Sequence, residues 1–215
     1  MNMILYEDAQ ILVCRKPAGV TAEEGGMPQL LREESGAVEI YCVHRLDRET
    51  AGLMVYAKTR AAAAALSASI AAGRMEKHYL AVVQGETPAA GEWRDLLYHD
   101  ARKNKSYPVR RLRRGVREAS LRFETRETRE GLSLVRVALE TGRSHQIRVQ
   151  FASRGFPLVG DARYGSAYRG LPLALFACAL AFPHPQNGET LRFEAAPPDA
   201  APWNGFAVRR DTAEA

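Results

Sequence analysis

The chain has 215 residues, 46% of them hydrophobic, with a formal net charge of +5 at pH 7. That apolar content supports a substantial core and excludes a chain that stays disordered, while the absence of any uninterrupted apolar run of about 18 residues gives no expectation of a transmembrane helix. The opening MNMILYEDAQ lacks a basic start and a sustained apolar region, so it does not read as a signal peptide.

Ile4–Tyr6 and Ile11–Cys14 read as short strands around a turn at Glu7-Asp8-Ala9. Lys16-Pro17-Ala18-Gly19 is a turn by composition, residues 22–28 form a Gly-rich loop, and Pro28–Glu34 is a short helix. Val38–Val43 alternates as a further strand. Leu53–Ala57 is an apolar run that reads as a buried strand, after a turn at Thr50-Ala51-Gly52. Thr59 caps an Ala-rich helix over Arg60–Ala72, which Gly73 closes. Lys77–Gln84 and Trp93–Leu97 are strands, and Tyr98–Gly115 is a basic loop or irregular ribbon. Glu118–Arg129 and Leu132–Leu139 alternate as half-buried strands around a Glu130-Gly131 turn. Ser144–Arg154 reads as a helix capped by Ser144. Leu173–Phe182 and Thr190–Glu194 are strands, and Trp203–Val208 is a short terminal helix. Strands dominate, so the class is α+β around a mostly antiparallel sheet.

Charge is unevenly distributed. Residues 102–154 hold 15 of the 30 Lys and Arg against five acids, so the segment carries +10 and the remainder −5. A basic segment on a mildly acidic body is the footprint of a polyanion partner. The three cysteines, Cys14, Cys42 and Cys178, are far apart and form no C-x-x-C pair, so neither a disulfide framework nor a zinc site is indicated. They fit a reducing cytoplasm.

The chemistry points to His44–Thr59, HRLDRETAGLMVYAKT, where Asp47 stands between Arg45 and Arg48 just ahead of the buried strand. A carboxylate on a turn fixed by a strand is well placed for catalysis. Two flanking guanidinium groups would hold it ionised, lowering a carboxyl pKa by roughly 1–3 units. Taken alone, such an Asp is more often an ordinary salt-bridged surface acid.

The pattern HRLD-x-x-T-x-G-L-x-V-x-A-K-T resembles the active-site motif of the RluA-type RNA pseudouridine synthases. Lys16-Pro17-Ala18-Gly19 and the TGRSHQIRV of Thr141–Val149 match the same family in order and spacing, and the resemblance runs from about Ile4 to about Pro198. It implies one catalytic domain over residues 1–215, with a large mixed, mostly antiparallel sheet flanked by helices and loops, and a cleft across the sheet. No separate N-terminal RNA-binding module is expected. The implied reaction isomerises uridine in structured RNA, ribosomal or transfer, to pseudouridine without a cofactor or a metal. The chain is expected to act as a cytoplasmic monomer that engages RNA and no membrane.

In this resemblance Asp47 is the essential acid, and the residues leave open whether it acts as nucleophile or as base. Tyr79 is the aromatic that would stack on the extruded uracil. Arg148 would reach inward to pair with Asp47, and Arg45 would contact the nucleotide or fill the space it leaves. Lys77, Arg143 and His145 read as phosphate or loop-positioning groups. Lys103, Lys105, Arg110 and Arg111 read as RNA-binding cations, and the stretches 22–37 and 98–117 as the readers of the substrate. His44 and His184 read as structural. Three positions depart from the family pattern: Ala51 replaces Ser, and Gln150 and Phe176 each stand where His is usual.

Other readings explain less. HRLD is superficially similar to a kinase catalytic loop, but the later Asn and a Gly-rich nucleotide loop are missing. A glycosidase would need a second carboxylate, for which Glu49 is the nearest in sequence, and the basic segment does not suit a neutral sugar. A non-catalytic RNA-binding protein accounts for the charge but not for the Asp47 motif.

Overall fold

Among residues 3–208, which the computed structural model describes, eleven strands form one sheet, with three α-helices between them in sequence. The chain divides into two compact units. The first comprises the chain up to Lys77 together with Ala177–Ala196, and the second comprises His78–Phe176 with the segment from Pro197.

In the first unit, β1 (Ile4–Glu7), β2 (Ile11–Lys16) and β4 (Ala51–Ala57) lie side by side. Next to them comes β10 (Leu175–Pro183), which begins at the end of the second unit and carries β11 (Thr190–Glu194) beside it. β2 and β4 pair antiparallel, Val13 opposite Val55 and Lys16 opposite Gly52. They read as continuous apolar runs because both of their faces are covered. Ile11, Val13, Leu53, Val55, Leu66 and Phe182 make the core here. Helix α1 (Met27–Ser35) starts with Pro28 in its first turn, where the missing N–H costs nothing. Helix α2 (Arg60–Ala71) begins as expected, with the Thr59 hydroxyl accepting the Ala62 N–H at 3.1 Å.

Two local expectations for this unit are corrected. The strand expected over Val38–Val43 shrinks to β3 (Tyr41–Cys42), and Val38 is 90% exposed, so its alternation does not mark a buried face. The turn lies at Arg48–Glu49 rather than at Thr50-Ala51-Gly52. The Thr50 amide closes it onto the Asp47 carbonyl at 3.0 Å, and Ala51 and Gly52 already belong to β4.

In the second unit, β5 (Glu76–Gln84), β9 (Leu132–Leu139), β8 (Val116–Arg129), β6 (Ala90–Asp100) and β7 (Lys105–Val109) follow one another in that order, paired antiparallel. Glu130 and Gly131 both have positive φ, 53° and 73°, which suits the tight turn joining β8 to β9. Trp93, Phe123 and Phe151 pack ring on ring at 4.4, 4.6 and 5.4 Å between centroids.

Three expectations for this unit also change. Residues 98–109 are not irregular: Tyr98, His99 and Asp100 pair with Tyr107, Ser106 and Lys105 in a regular hairpin. Its tip is built by the Asp100 carboxylate, which accepts the Arg102 and Lys103 amides at 3.0 and 3.2 Å, and by Asn104 at φ 44°. Helix α3 spans Gln146–Ala152, without Ser144 as its cap. His145 at the cap position is left-handed, φ 55°, and the Ser144 carbonyl instead accepts the Ser106 hydroxyl at 2.6 Å. The terminal helix expected to Val208 is a single 3-10 turn at Trp203–Gly205.

Candidate active site

In the first unit, the Asp47 turn is fastened to the loop after β2 from three directions. The Gly19 amide donates to the Arg48 carbonyl at 2.8 Å, and Arg48 Nε donates back to the Gly19 carbonyl at 2.8 Å. Lys16 Nζ, fully buried, donates to the carbonyls of Val20, Pro17 and Arg48 at 2.7, 3.0 and 3.0 Å. An ammonium has three hydrogens, and each finds an oxygen. Burial pushes Lys16 down to about 8, against the opposing charges of Glu49 and Asp47. Lys16 was not among the expected site residues, although it opens the Lys16-Pro17-Ala18-Gly19 match; its burial could not be read from a residue type that is almost never buried.

The flanking arginines are engaged beyond Asp47. Arg45 forms an exposed ion pair with Glu23 at 3.1 Å, and Arg48 makes the Gly19 contact above. Tyr56, fully buried on β4, donates its hydroxyl to the Ala22 carbonyl at 2.8 Å and so anchors the start of the 22–26 loop. His44 is a structural acceptor: its Nε2 takes the Val55 N–H at 3.1 Å. Burial, and then the charge of Lys77, push its pKa down to about 3, so the ring is neutral. His184 likewise contacts Asp8 at 2.9 Å.

In the second unit, Tyr79 stands on β5 opposite Val137 and is 6% exposed. Arg148 is 5% exposed, which rules out a solvent-facing helix residue. Its Nε and one terminal nitrogen bind Asp161 at 2.7 and 2.9 Å, a bidentate pair. Asp161 was not foreseen; the signal was the short Gly160-Asp161-Ala162-Arg163-Tyr164-Gly165 run. His145, expected as a phosphate or loop-positioning group, is 7% exposed and lies 3.0 Å from the Tyr164 hydroxyl, which suits the second role. Arg143 is exposed and donates through Nε to the Glu118 carbonyl at 2.8 Å.

Lys103, Arg110 and Arg111 are exposed on and after the β6–β7 hairpin. The Lys105 ammonium sits over the rings of Tyr164 and Tyr107 at 5.2 and 5.7 Å. Gln150, at the position where the resemblance leads one to expect His, is buried and donates to Asp95 at 2.7 Å, so here it packs α3 against β6. Phe176 is 2% exposed in β10, and Ala51 opens β4.

Residues 10–153 match the family described as RNA pseudouridylate synthase. Ribosomal large subunit pseudouridine synthase C of Salmonella typhimurium is 37% identical over 90% of this chain, which spans 66% of that protein's length. Ribosomal large subunit pseudouridine synthase D of Xanthomonas campestris pv. campestris is 35% identical over 99% of this chain and 71% of its own length. Among solved structures, human RNA pseudouridylate synthase domain containing 1 superposes with a TM-score of 0.79 at 23% identity, covering 92% of this chain and 84% of that one. Human RNA pseudouridylate synthase domain containing 4 gives 0.76 at 24% identity, covering 91% and 88%. The structural likenesses establish the fold, and with the sequence matches they lead to one conclusion: the chain belongs to the RNA pseudouridylate synthase family, in the RluA-type branch its motifs resemble.

Proposed function

We propose that this protein is an RNA pseudouridine synthase that isomerises uridine in ribosomal or transfer RNA, with Asp47 as the acid that carries the chemistry. The observation behind this reading is the HRLD turn itself: a family-matched carboxylate on a turn held by Lys16 and by the reciprocal Gly19–Arg48 bonds. A carboxylate so fixed needs little reorganisation when it acts, which favours a catalytic over an ordinary surface role. The reaction breaks the ribose C1′–N1 bond, turns the uracil, joins C1′ to C5, releases the C5 proton and places a proton on N1. It has no net oxidation and no group enters. Asp47 serves either by attacking C1′ or by taking a proton from the ribose.

Tyr79 would stack on the extruded base, with Arg148 in a supporting role toward the nucleotide. Ribosomal RNA is the preferred substrate class, because the relatives at 35–37% identity are named for the large ribosomal subunit. The test is tritium release from RNA labelled at uracil C5. Asp47→Asn keeps size and hydrogen bonding but not charge. It should abolish release while leaving the unfolding transition and RNA affinity nearly intact. Near-normal release from Asp47→Asn would remove Asp47 from the chemistry.

A further inference from the structure

The Asp161–Tyr164 turn is a short 3-10 segment with no part in the reading above, yet its side chains hold two groups that do have one. Asp161, whose side chain is 1% exposed, grips the edge of the Arg148 guanidinium through both oxygens. The Tyr164 ring covers the same guanidinium, 5.3 Å from Cζ, so Arg148 is held on an edge and a face. The turn also reaches the β6–β7 hairpin. Arg163 donates to the Lys103 carbonyl at 2.8 Å. The Tyr164 hydroxyl accepts the Ser106 N–H at 2.8 Å and lies 3.3 Å from the Ser106 carbonyl. Its ring lies 5.2 Å from the Lys105 ammonium.

The turn is fixed in its own right. At Gly160, φ 77°, an added Cβ would come within 2.1 Å of the Pro172 carbonyl oxygen, and the Gly160 N–H donates to the Ser166 hydroxyl at 3.1 Å. Gln84 on β5 donates to that hydroxyl at 3.0 Å. A hairpin with a cationic tip would ordinarily sway on its two strands. Here its tip, at Lys103, and its returning strand, at Ser106, are fastened to a turn that is itself tied to strand β5 through Gln84.

We propose that Asp161 and Tyr164 are positioning residues: the turn makes the cationic hairpin and Arg148 one rigid element, so that RNA seated on the hairpin is presented to Arg148 in a fixed register. The inference rests on the synthase reading for its consequence in turnover, but not for the brace itself.

Tyr164→Phe separates the two functions of the side chain. It keeps the ring over Arg148 and Lys105 and removes only the hydroxyl. Losing one such hydrogen bond should speed exchange of the Ser106 amide by about three- to tenfold. KM for RNA should rise by more than kcat falls. The affinity lost on Lys105→Ala should shrink in the Tyr164→Phe background, because a loosened hairpin no longer presents that cation in register. Asp161→Asn should show the opposite split, with kcat falling by up to about 100-fold and KM changing less, as misplacement of a supporting group does.

Unchanged Ser106 exchange in Tyr164→Phe, or affinity effects of the two substitutions that simply add, would overturn the brace. If Asp161→Asn does not fold, the Tyr164→Phe measurements decide alone. A wild-type protein that releases no tritium would defeat the synthase reading, while amide exchange and RNA affinity would still judge the brace.

Discussion

His44 shows how a residue of the Asp47 motif contributes to the fold through one hydrogen bond. With Nε2 accepting the Val55 amide, protonation would replace a good hydrogen bond by two donors facing each other. An ordinary imidazole titrates near 6.5, and in the fold this one does so near 3. Between those values the unfolded chain takes up a proton that the native chain does not. Its contribution to stability therefore falls with pH, by about 1.4 kcal/mol per unit, from the upper value toward the lower. Replacing it by Gln, whose amide oxygen can accept the same N–H, should flatten the acid limb of a urea-denaturation series between pH 6 and 4. An acid limb identical to the wild type would show that His44 is not the titrating group. At this scale the family resemblance singled out Asp47, Tyr79 and Arg148, because each matches a position of that family's active-site pattern. It could not reveal Lys16 as a buried tie or Asp161 as the Arg148 partner, since both depend on contacts with backbone or side chains distant in sequence.

Strand β4 depends on one residue where it leaves the Asp47 turn. Gly52 has φ 123°, and a Cβ there would lie 2.4 and 2.5 Å from the backbone oxygen and nitrogen of Ala177. Neither neighbour is a side chain that could swing aside, so the strands would have to part. Gly52→Ala should cost at least about 3 kcal/mol in urea denaturation, in the range that marks a severe clash. Gly36→Ala is the control: φ is also positive, 72°, but nothing lies within 4 Å, so only the backbone cost of about 1 kcal/mol remains. Equal losses in the two variants would show that the Ala177 approach does not matter. Most elements were legible because their periods were strong. The Thr59 cap, the Glu130-Gly131 turn and the apolar β2 and β4 follow from local chemistry. The end of β6 and the whole of β7 did not read as strand because residues 98–109 are mostly polar and charged, with few apolar residues to mark an alternation. The start of α3 was misplaced because Ser144 has cap chemistry, while its carbonyl is drawn to Ser106 and the chain turns left-handed at His145.

Over the whole molecule, charge separates into cations that are used internally and cations that are presented. Within residues 102–154, Arg148 and Arg154 are spent on Asp161 and Asp95, and Arg122, Arg126 and Arg129 pair with Glu140, Glu124 and Glu130. Pairs of the latter kind are exposed and contribute little to stability. The hairpin and the loop after it present a different set, with Lys103, Arg110 and Arg111 exposed and Lys105 partly covered by its two tyrosines. If these four meet phosphates, each contact releases condensed counterions. Replacing all four by Ala should then weaken RNA binding most at low salt and flatten the dependence of log affinity on log salt. The slope should drop by about 0.7 for every side chain that contacts a single-stranded phosphate. The Lys105 share should be the smallest, because the tyrosine rings already satisfy part of its charge. Tritium release at saturating RNA should fall less than affinity, because none of the four is assigned to the reacting uridine. A slope equal to that of the wild type would place these cations away from the RNA and move the polyanion surface elsewhere on the protein.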